Sequence, residues 1–580
     1  MSSAAAPAVT GTVVRVNGPL VEAVGLTGVA ALEVIEIGVN LLPAEVISIS
    51  AGLVTAQVHE YTGGLRVGDP IRALGYPLSA RLGPGLLGGV FDGLLRPLGD
   101  RSVWLVPGAF ADRVVAARWP FHPAVAPGDG VGPGTLLGTS PSLGGGVEHR
   151  VLVPPGLRGT VDWVSAPGEV SEDEAVATVE GTPVALVERW PVRVARPVRE
   201  RLRVSAPLVT GQRVLDLCFP VARGATAAVP GGFGTGKTVL LQQIVKWSDA
   251  DVIVFVGCGE RGNELADAMT DLSELEDPRT GRRLLERTVV IANTSNMPVM
   301  AREASIYTGM TVAEYYRDMG YSAVLVADST SRWAEALREF SSRNGELPAE
   351  EGYPAGLASA LAAFYERACR ATTLGGGEGS VTAIGAVSPP GGDMTEPVTA
   401  HTERFVRCLW SLDRDLAYAR HYPAVTWRGS FSRDTDAVAA WHAAQGRSGW
   451  AADRGRAIAL LGEADRLSPV VELVGLGALP DRERVVLVAG RLLREAVLQQ
   501  SALSRNDAYC SPGKQAALLD LVLEIYDRCQ ELVDRGLPAL AVEEFDLSGA
   551  TRARDDTGPD DEEGVRRRRD EVLRALDALA

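Results

Sequence analysis

Lysine is almost missing from this chain. Three of its 57 basic residues are lysine, at positions 237, 246 and 514, and the other 54 are arginine. Cysteine is scarce as well. Cys218, Cys258, Cys369, Cys408, Cys510 and Cys529 are scattered with no CxxC pair, which argues against a disulfide framework or a zinc site and for reduced thiols. The six histidines include no HExxH. No stretch approaches the roughly 20 apolar residues of a spanning helix. Residues 1–7, Met-Ser-Ser-Ala-Ala-Ala-Pro, lack the basic and apolar regions of a signal peptide. A surplus of positive charge is also absent: the net charge is −16, which argues against a general nucleic-acid coat but leaves room for a local basic groove.

At 580 residues the chain is too long for one hydrophobic core, so three or four domains are expected. Residues 1–72 carry short strand-like runs such as 12–16 and 53–58 between turn residues, the pattern of a small β-barrel. Residues 73–109 are rich in Gly and Pro and read as a linker or wrapping segment. Residues 110–190 read as a separate β-rich insertion, with strands near 151–153, 161–164 and 175–179. A lipoyl-type carrier is excluded there because the segment has no lysine to modify. From 191 to 440 apolar strands ending at Val229, Val256, Ala292, Ala327 and Val387 alternate with helical stretches, which predicts a parallel α/β sheet. Residues 441–580 are helical, residues 491–500 having apolar positions at helical spacing. The acidic run 553–564 reads as flexible, and Arg566 to Arg569 as a solvated helix face. No internal repeat is present.

One of the three lysines lies in Gly231-Gly232-Phe233-Gly234-Thr235-Gly236-Lys237-Thr238. A strand-like run precedes this G-x-x-x-x-G-K-T loop, and an apolar helix opens after it at Val239, which is the context a phosphate-binding loop requires. Its glycines let backbone N–H groups converge on phosphate oxygens, and the helix N-terminus adds partial positive charge. A compact ammonium can fold over a phosphate chain where a planar guanidinium cannot. Lys237 is therefore expected to reach the β- and γ-phosphates of a nucleoside triphosphate, and Thr238 to bind Mg²⁺. The spacing of Gly232, Gly234 and Gly236 does not fit a dinucleotide fingerprint.

Such a loop calls for an acid at the end of an apolar strand, and Asp328 after residues 323–327 supplies one for Mg²⁺. The alternative is a strand-end Asp capping the next helix. Hydrolysis also needs a group that orients water. Glu260 leaves another strand end between glycines and is the candidate general base, although an isolated Glu there would more often be a surface loop acid. Arg261 is placed to neutralise γ-phosphate charge or to pair with an acid.

Six blocks now stand in order: the loop; residues 257–264, Gly-Cys-Gly-Glu-Arg-Gly-Asn-Glu; residues 291–298, Ile-Ala-Asn-Thr-Ser-Asn-Met-Pro; residues 301–309, Ala-Arg-Glu-Ala-Ser-Ile-Tyr-Thr-Gly; residues 327–339, Ala-Asp-Ser-Thr-Ser-Arg-Trp-Ala-Glu-Ala-Leu-Arg-Glu; and residues 351–354, Glu-Gly-Tyr-Pro. Together they resemble the catalytic A subunit of V-type and archaeal-type rotary ATPases over nearly the whole chain, including the 110–190 insertion. The resemblance implies a barrel, a bulge, a central RecA-like P-loop domain and a C-terminal helical domain. It implies ATP/ADP with Mg²⁺ at A–B interfaces of an alternating ring, an arginine finger from the neighbouring B subunit, and central and peripheral stalks. A membrane sector moving protons or sodium would follow, with this chain peripheral on the cytoplasmic face and no nucleic acid as partner. Lys237 and Glu260 match the family's catalytic pair, and Thr238 and Asp328 its metal-binding residues. The matching adenine pocket uses Tyr422 and Pro423, with the Gln499-Gln500 segment nearby. Other classes stay open: a non-catalytic nucleotide-binding ring subunit, or another hexameric motor such as a secretion ATPase or RNA translocase. The lysine and the insertion argue against the first, the insertion and the long helical C-terminus against the second.

The chain departs from the family where a second aromatic usually follows the Leu-Gln-Gln segment. Leu503 stands there, and a leucine can pack on a purine but presents no π-face. A looser grip on the base is expected. Nucleotide titration of Leu503→Phe should show tighter binding than the native chain, and equal affinity would refute this reading. Thr235 also stands where eukaryotic relatives carry a cysteine, so thiol control of the loop is not expected.

Overall fold

The computed structural model describes residues 9–98, 118–141, 146–263, 270, 272–277, 280–343 and 345–579; the readings made on residues 1–7 and 99–117 and on Glu264 lie outside them. The chain forms two compact units. One comprises residues 1–202, 250–385 and 396–402, the other residues 203–249, 386–395 and 403–580.

The first unit opens with a closed six-stranded antiparallel barrel in the order Thr10–Asn17, Leu20–Val24, Leu53–Val58, Leu42–Ser50, Glu33–Ile37, Pro70–Pro77. Alternate residues of these short strands, among them Val13, Val21, Ala23, Val46, Val54 and Ile71, point inward and fill the barrel, as the period-2 side-chain alternation of a strand requires. The last strand runs to Pro77, so the barrel extends past residue 72 into the stretch read as a linker. That stretch holds further strands. Ser79–Leu82 pairs with Glu188–Pro191, which fastens together the entry and exit of the insertion. Between them, residues 118–185 form two four-stranded sheets around one apolar core that includes Trp119, Phe121, Leu137, Val161 and Val176.

The same unit carries parallel strands in the order Val90–Phe91, Thr288–Thr294, Val252–Glu260, Ser322–Asp328, Glu378–Val387, the last two residues of which, Ala386 and Val387, count with the second unit. These are continuous runs of Val, Ile, Leu and Ala, as strands covered on both faces should be, and every residue of Ser322–Asp328 is buried. The helix Val299–Asp318 lies on this sheet with 16 of its 20 residues buried. Gly309 permits the close approach: a Cβ there would stand 2.4 Å from Val256 Cγ2 and 3.1 Å from Leu325 Cδ1. Arg193 ties the segment leaving the insertion to both neighbours, pairing Glu45 of the barrel at 3.1 Å and Glu303 of this helix at 2.7 Å.

In the second unit the buried strand Thr226–Pro230 runs parallel to Cys408–Leu409, which pairs antiparallel with Phe431–Ser432. The rest is helical: Lys237–Trp247, Thr435–Ala444, Trp450–Val474, Asp481–Leu492, Pro512–Asp534, Ala539–Glu544, Ser548–Asp556 and Glu562–Asp577. The expected helix over 491–500 stops earlier, passing through a wide turn Leu493–Leu498 and ending at Gln499. The acidic run 553–564 is not a loose tether. Its start completes the helix Ser548–Asp556, Thr557 is buried, and the Asp561 carboxylate accepts the Gly564 N–H at 2.8 Å to cap the last helix. Local capping offsets the entropy that the composition alone suggests would win. Arg566 and Arg569 pair with Glu562 and Glu524 on an exposed face. Among the described residues, no helix is long and apolar enough to cross a membrane.

Because Val256 is fully buried beneath Gly309, Gly309→Val should overpack this contact and cost about 1–3 kcal/mol. Denaturant unfolding followed through the fluorescence of Trp333, buried in the same unit, should show a lower midpoint.

Candidate active site

The loop leaves the strand Thr226–Pro230 at Gly231, whose N–H donates to Val387 O at 3.1 Å. Two glycines set its course: Gly234 at φ +80° and Gly236 at φ +86°, both left-handed. Thr235 is buried, and its hydroxyl donates to Gly232 O at 2.9 Å, pinning the turn from inside. Phe233 is almost wholly exposed. The helix Lys237–Trp247 begins with Gly236 as N-cap and no capping side chain, so its first-turn N–H groups have no side-chain acceptor and form an anion-receptive end. The Lys237 ammonium donates to Gly231 O and Val387 O, each at 3.1 Å, and to the Ser388 hydroxyl. These oxygens hold the cation at the loop. Thr238 and Val239 are exposed beside it. The exposed Arg414, which the sequence reading missed, brings its guanidinium against Gly232, 3.7 Å from where a Cβ would stand.

Next to the loop lies a cavity of about 380 Å³ lined by Gly236, Val239, Tyr422, Pro423, Gln499 and Leu503 among others. A Cβ on Gly236 would stand 3.3 Å from the Tyr422 ring, so this glycine also lets the loop reach the aromatic wall. Tyr422 is 42% exposed and Leu503 98%: one ring and one open leucine are available to a flat ligand. Gln499 is half-buried and its amide donates to Arg420 O at 3.4 Å. Gln500 also lines the cavity, but its side chain is buried and committed to the backbone. Its amide donates to Gly211 O at 2.8 Å and its oxygen accepts the Arg213 N–H at 2.8 Å. The Gln499 amide is more loosely held than that of Gln500: its contacts, to Arg420 O at 3.4 Å and from Arg554 Nη2 at 3.5 Å, are long, and it is half-buried at the cavity edge.

The other candidates lie in the first unit. Glu260 ends the strand Val252–Glu260 just after a break in register with Thr288–Thr294. Gly259 makes that break. Its φ is +74°, and a Cβ there would meet Arg332 Cβ at 2.9 Å and Arg302 Cδ at 3.2 Å. Only glycine satisfies both the backbone and the space. The bulge therefore sets the end of this strand beside two arginines that no single sequence motif had singled out. Arg302 is fixed in turn by donating to Ser295 O at 2.9 Å, and Ser295 N donates to Glu260 O at 2.9 Å. Asp328 is buried at the end of the adjacent strand, in register with Gly257. Glu260 and Asp328 thus come together at the carboxyl ends of neighbouring parallel strands, where open α/β sheets bind ligands. Arg261 follows, exposed. Cys258 is buried behind Glu260, its thiol donating to Arg302 O at 3.6 Å, and burial pushes that thiol up to about 12. Among the described residues, no cluster of three His, Cys, Asp or Glu side chains could hold a metal ion.

Four segments of the sequence match characterised families. Residues 13–75 match the ATP synthase alpha/beta family beta-barrel domain and residues 114–193 the barrel-sandwich domain of the same alpha/beta chains. Residues 211–432 match the ATP synthase alpha/beta family nucleotide-binding domain, and residues 439–541 the C-terminal domain of V and A type ATP synthase. The V-type ATP synthase alpha chain of Anaeromyxobacter dehalogenans strain 2CP-C is 52% identical over 538 residues, covering 92% of this chain and 93% of the relative. The corresponding A-type ATP synthase chain of Methanopyrus kandleri, its A subunit, is 48% identical over 553 residues, covering 93% of each. Among solved structures, the ATPase EscN of the enteropathogenic E. coli type III secretion system superposes with a TM-score of 0.64 at 22% identity, covering 88% of this chain and 100% of that one. At that identity the likeness is one of fold.

All six cysteines are buried, and a desolvated thiol stays protonated and unreactive at neutral pH. Alkylation with iodoacetamide at about pH 8 should leave Cys258 unmodified in the native protein and label it only after unfolding.

Proposed function

The chain belongs to the ATP synthase alpha/beta family, alongside the V-type and A-type alpha chains, and from that premise we propose how its residues work. It is a catalytic subunit of a rotary ATPase, an enzyme that hydrolyses or synthesises ATP. The observation that supports the site assignment best is the Lys237 ammonium, held by the Gly231 and Val387 carbonyls and the Ser388 hydroxyl beside a loop whose helix has no capping side chain. A triphosphate would replace those oxygens as acceptor. The loop's N–H groups from Gly232 to Val239 and the ammonium would then surround the β- and γ-phosphates.

Tyr422 and Pro423 would take the adenine, with Val239 and Leu503 packing on it and Gln499 offering its amide. Glu260 would orient the attacking water and accept its proton during in-line attack on the γ-phosphorus, releasing ADP and phosphate. Arg261, with Arg302 and Arg332 around Gly259, would supply positive charge as negative charge shifts between phosphate oxygens. Thr238 and Asp328 would hold Mg²⁺. Both are hard oxygen donors, one an exposed hydroxyl and one a strand-end carboxylate. So small a protein set suits an ion that keeps phosphate and water oxygens as its other ligands. When bound, the ion neutralises charge on the phosphates.

The chain would alternate with B subunits in a ring, each contributing an arginine finger to the neighbouring site. It would act with central and peripheral stalks on a membrane sector that moves protons or sodium, and would sit at the cytoplasmic face. A non-catalytic ring subunit would not need Lys237 or Glu260.

In a ring reconstituted with B subunits, Glu260→Gln should lower phosphate release about 10²–10⁴-fold while nucleotide still binds. Lys237→Ala in the same assay should abolish release. Undiminished turnover in either variant would refute its assigned role.

A further inference from the structure

The wall of the base cavity formed by residues 499–503 has little apolar contact to keep it in place: Leu503 is exposed, and Gln499, Ser501 and Ala502 are half-buried. Something else must offset the entropy of ordering it. The chain does so with charged side chains that end on its backbone. Arg213, fully buried, donates from Nε to Val497 O at 2.6 Å, from Nη2 to Gln499 O at 2.6 Å and from Nη1 to Asp507 Oδ1 at 2.7 Å. The second oxygen of Asp507, also fully buried, accepts the Ser501 N–H at 2.7 Å and Arg554 Nη1 at 2.9 Å. Arg554 donates in addition to Gln499 O at 2.8 Å. The buried ammonium of Lys514 holds this assembly from behind, donating to Asn506 O at 3.1 Å, Arg554 O at 2.7 Å and Thr557 O at 3.0 Å. The wall reaches the aromatic side through the Gln500 N–H, which donates to Tyr422 O at 2.8 Å.

We propose that Asp507 is a positioning residue for base recognition: shared between Arg213, Arg554 and the Ser501 amide, its carboxylate sets where residues 499–503 stand relative to Tyr422, and so whether the cavity accepts a purine. None of these charged groups is placed at the phosphates, so the effect is confined to the base end of the ligand. Two guanidiniums share one carboxylate, and carbonyl oxygens take up remaining donors. A buried network of this kind adds little net stability but fixes geometry, and it fails when one member is removed. The proposal rests on reading the cavity as the adenine site, and its test separates the two.

Full-length chain is titrated with Mg-ATP and, separately, with inorganic tripolyphosphate, which carries the phosphates without a base. Native protein should prefer ATP. Asp507→Asn should weaken ATP binding about tenfold, equivalent to about 1.4 kcal/mol, and leave tripolyphosphate affinity within about twofold. Equal weakening of both ligands, or no change in either, overturns the positioning role. Should Asp507→Asn fail to fold, Arg554→Gln repeats the comparison; Arg554 is partly exposed, and its loss leaves the Arg213–Asp507 pair intact. The same selective loss for ATP is expected there, and its absence overturns the proposal. If native protein binds tripolyphosphate as tightly as ATP, the adenine assignment of the cavity falls, and this inference with it.

Discussion

The ammonium of Lys237, held between two main-chain carbonyls and a serine hydroxyl, is the contact around which the glycine-rich loop is arranged. Those carbonyls belong to Gly231, at the start of the loop, and to Val387, the last residue of a buried strand. A cation can be kept there only because both chain segments are rigid. Thr226–Pro230 is buried throughout, and the Thr235 hydroxyl closes the turn on Gly232. The positive φ of Gly234 and Gly236 then directs the chain into an uncapped helix. Charge, backbone dipoles and an exposed Thr238 hydroxyl converge for that reason, and a side chain at Gly236 would push the loop away from Tyr422.

The scarcity of lysine acquires a physical meaning in the folded protein. Lys237 and Lys514 each donate to several oxygen acceptors grouped around one point, which suits a compact ammonium. Arg213 and Arg554, by contrast, spread planar donors over a carboxylate and several carbonyls. The third lysine, Lys246, stands over the Trp247 ring, which stacks on Tyr509. At positions 237 and 514 this arginine-dominated chain uses lysine where a point-like cation suits the acceptors.

Much of the architecture was legible because its signals are local. Runs of Val, Ile and Leu ending in glycine or aspartate marked the buried strands and the positions of Glu260 and Asp328. Short strand-like runs between turn residues marked the barrel, and the G-x-x-x-x-G-K-T pattern marked the loop with the helix after it. Other features rest on residues far apart in the chain. The register break at Gly259 becomes meaningful only when Arg302 and Arg332 pack about it. Gln500 looks like a ligand-facing amide until Gly211 and Arg213 are seen to occupy it. The acidic composition of 553–564 suggested a tether, whereas Lys514 holds Arg554 O and Thr557 O and orders its first half.

From its sequence alone this chain is committed to a glycine-rich G-x-x-x-x-G-K-T loop, a parallel strand set with acids at its carboxyl ends, and a helical C-terminus. Each of these follows from residue type and spacing along a few turns or strands. The tertiary structure alone decided which side chains remain open to a ligand and which are spent holding the backbone. That division depends on where distant carbonyls and charges meet once the core excludes water, because a buried polar group must find its partner inside the protein.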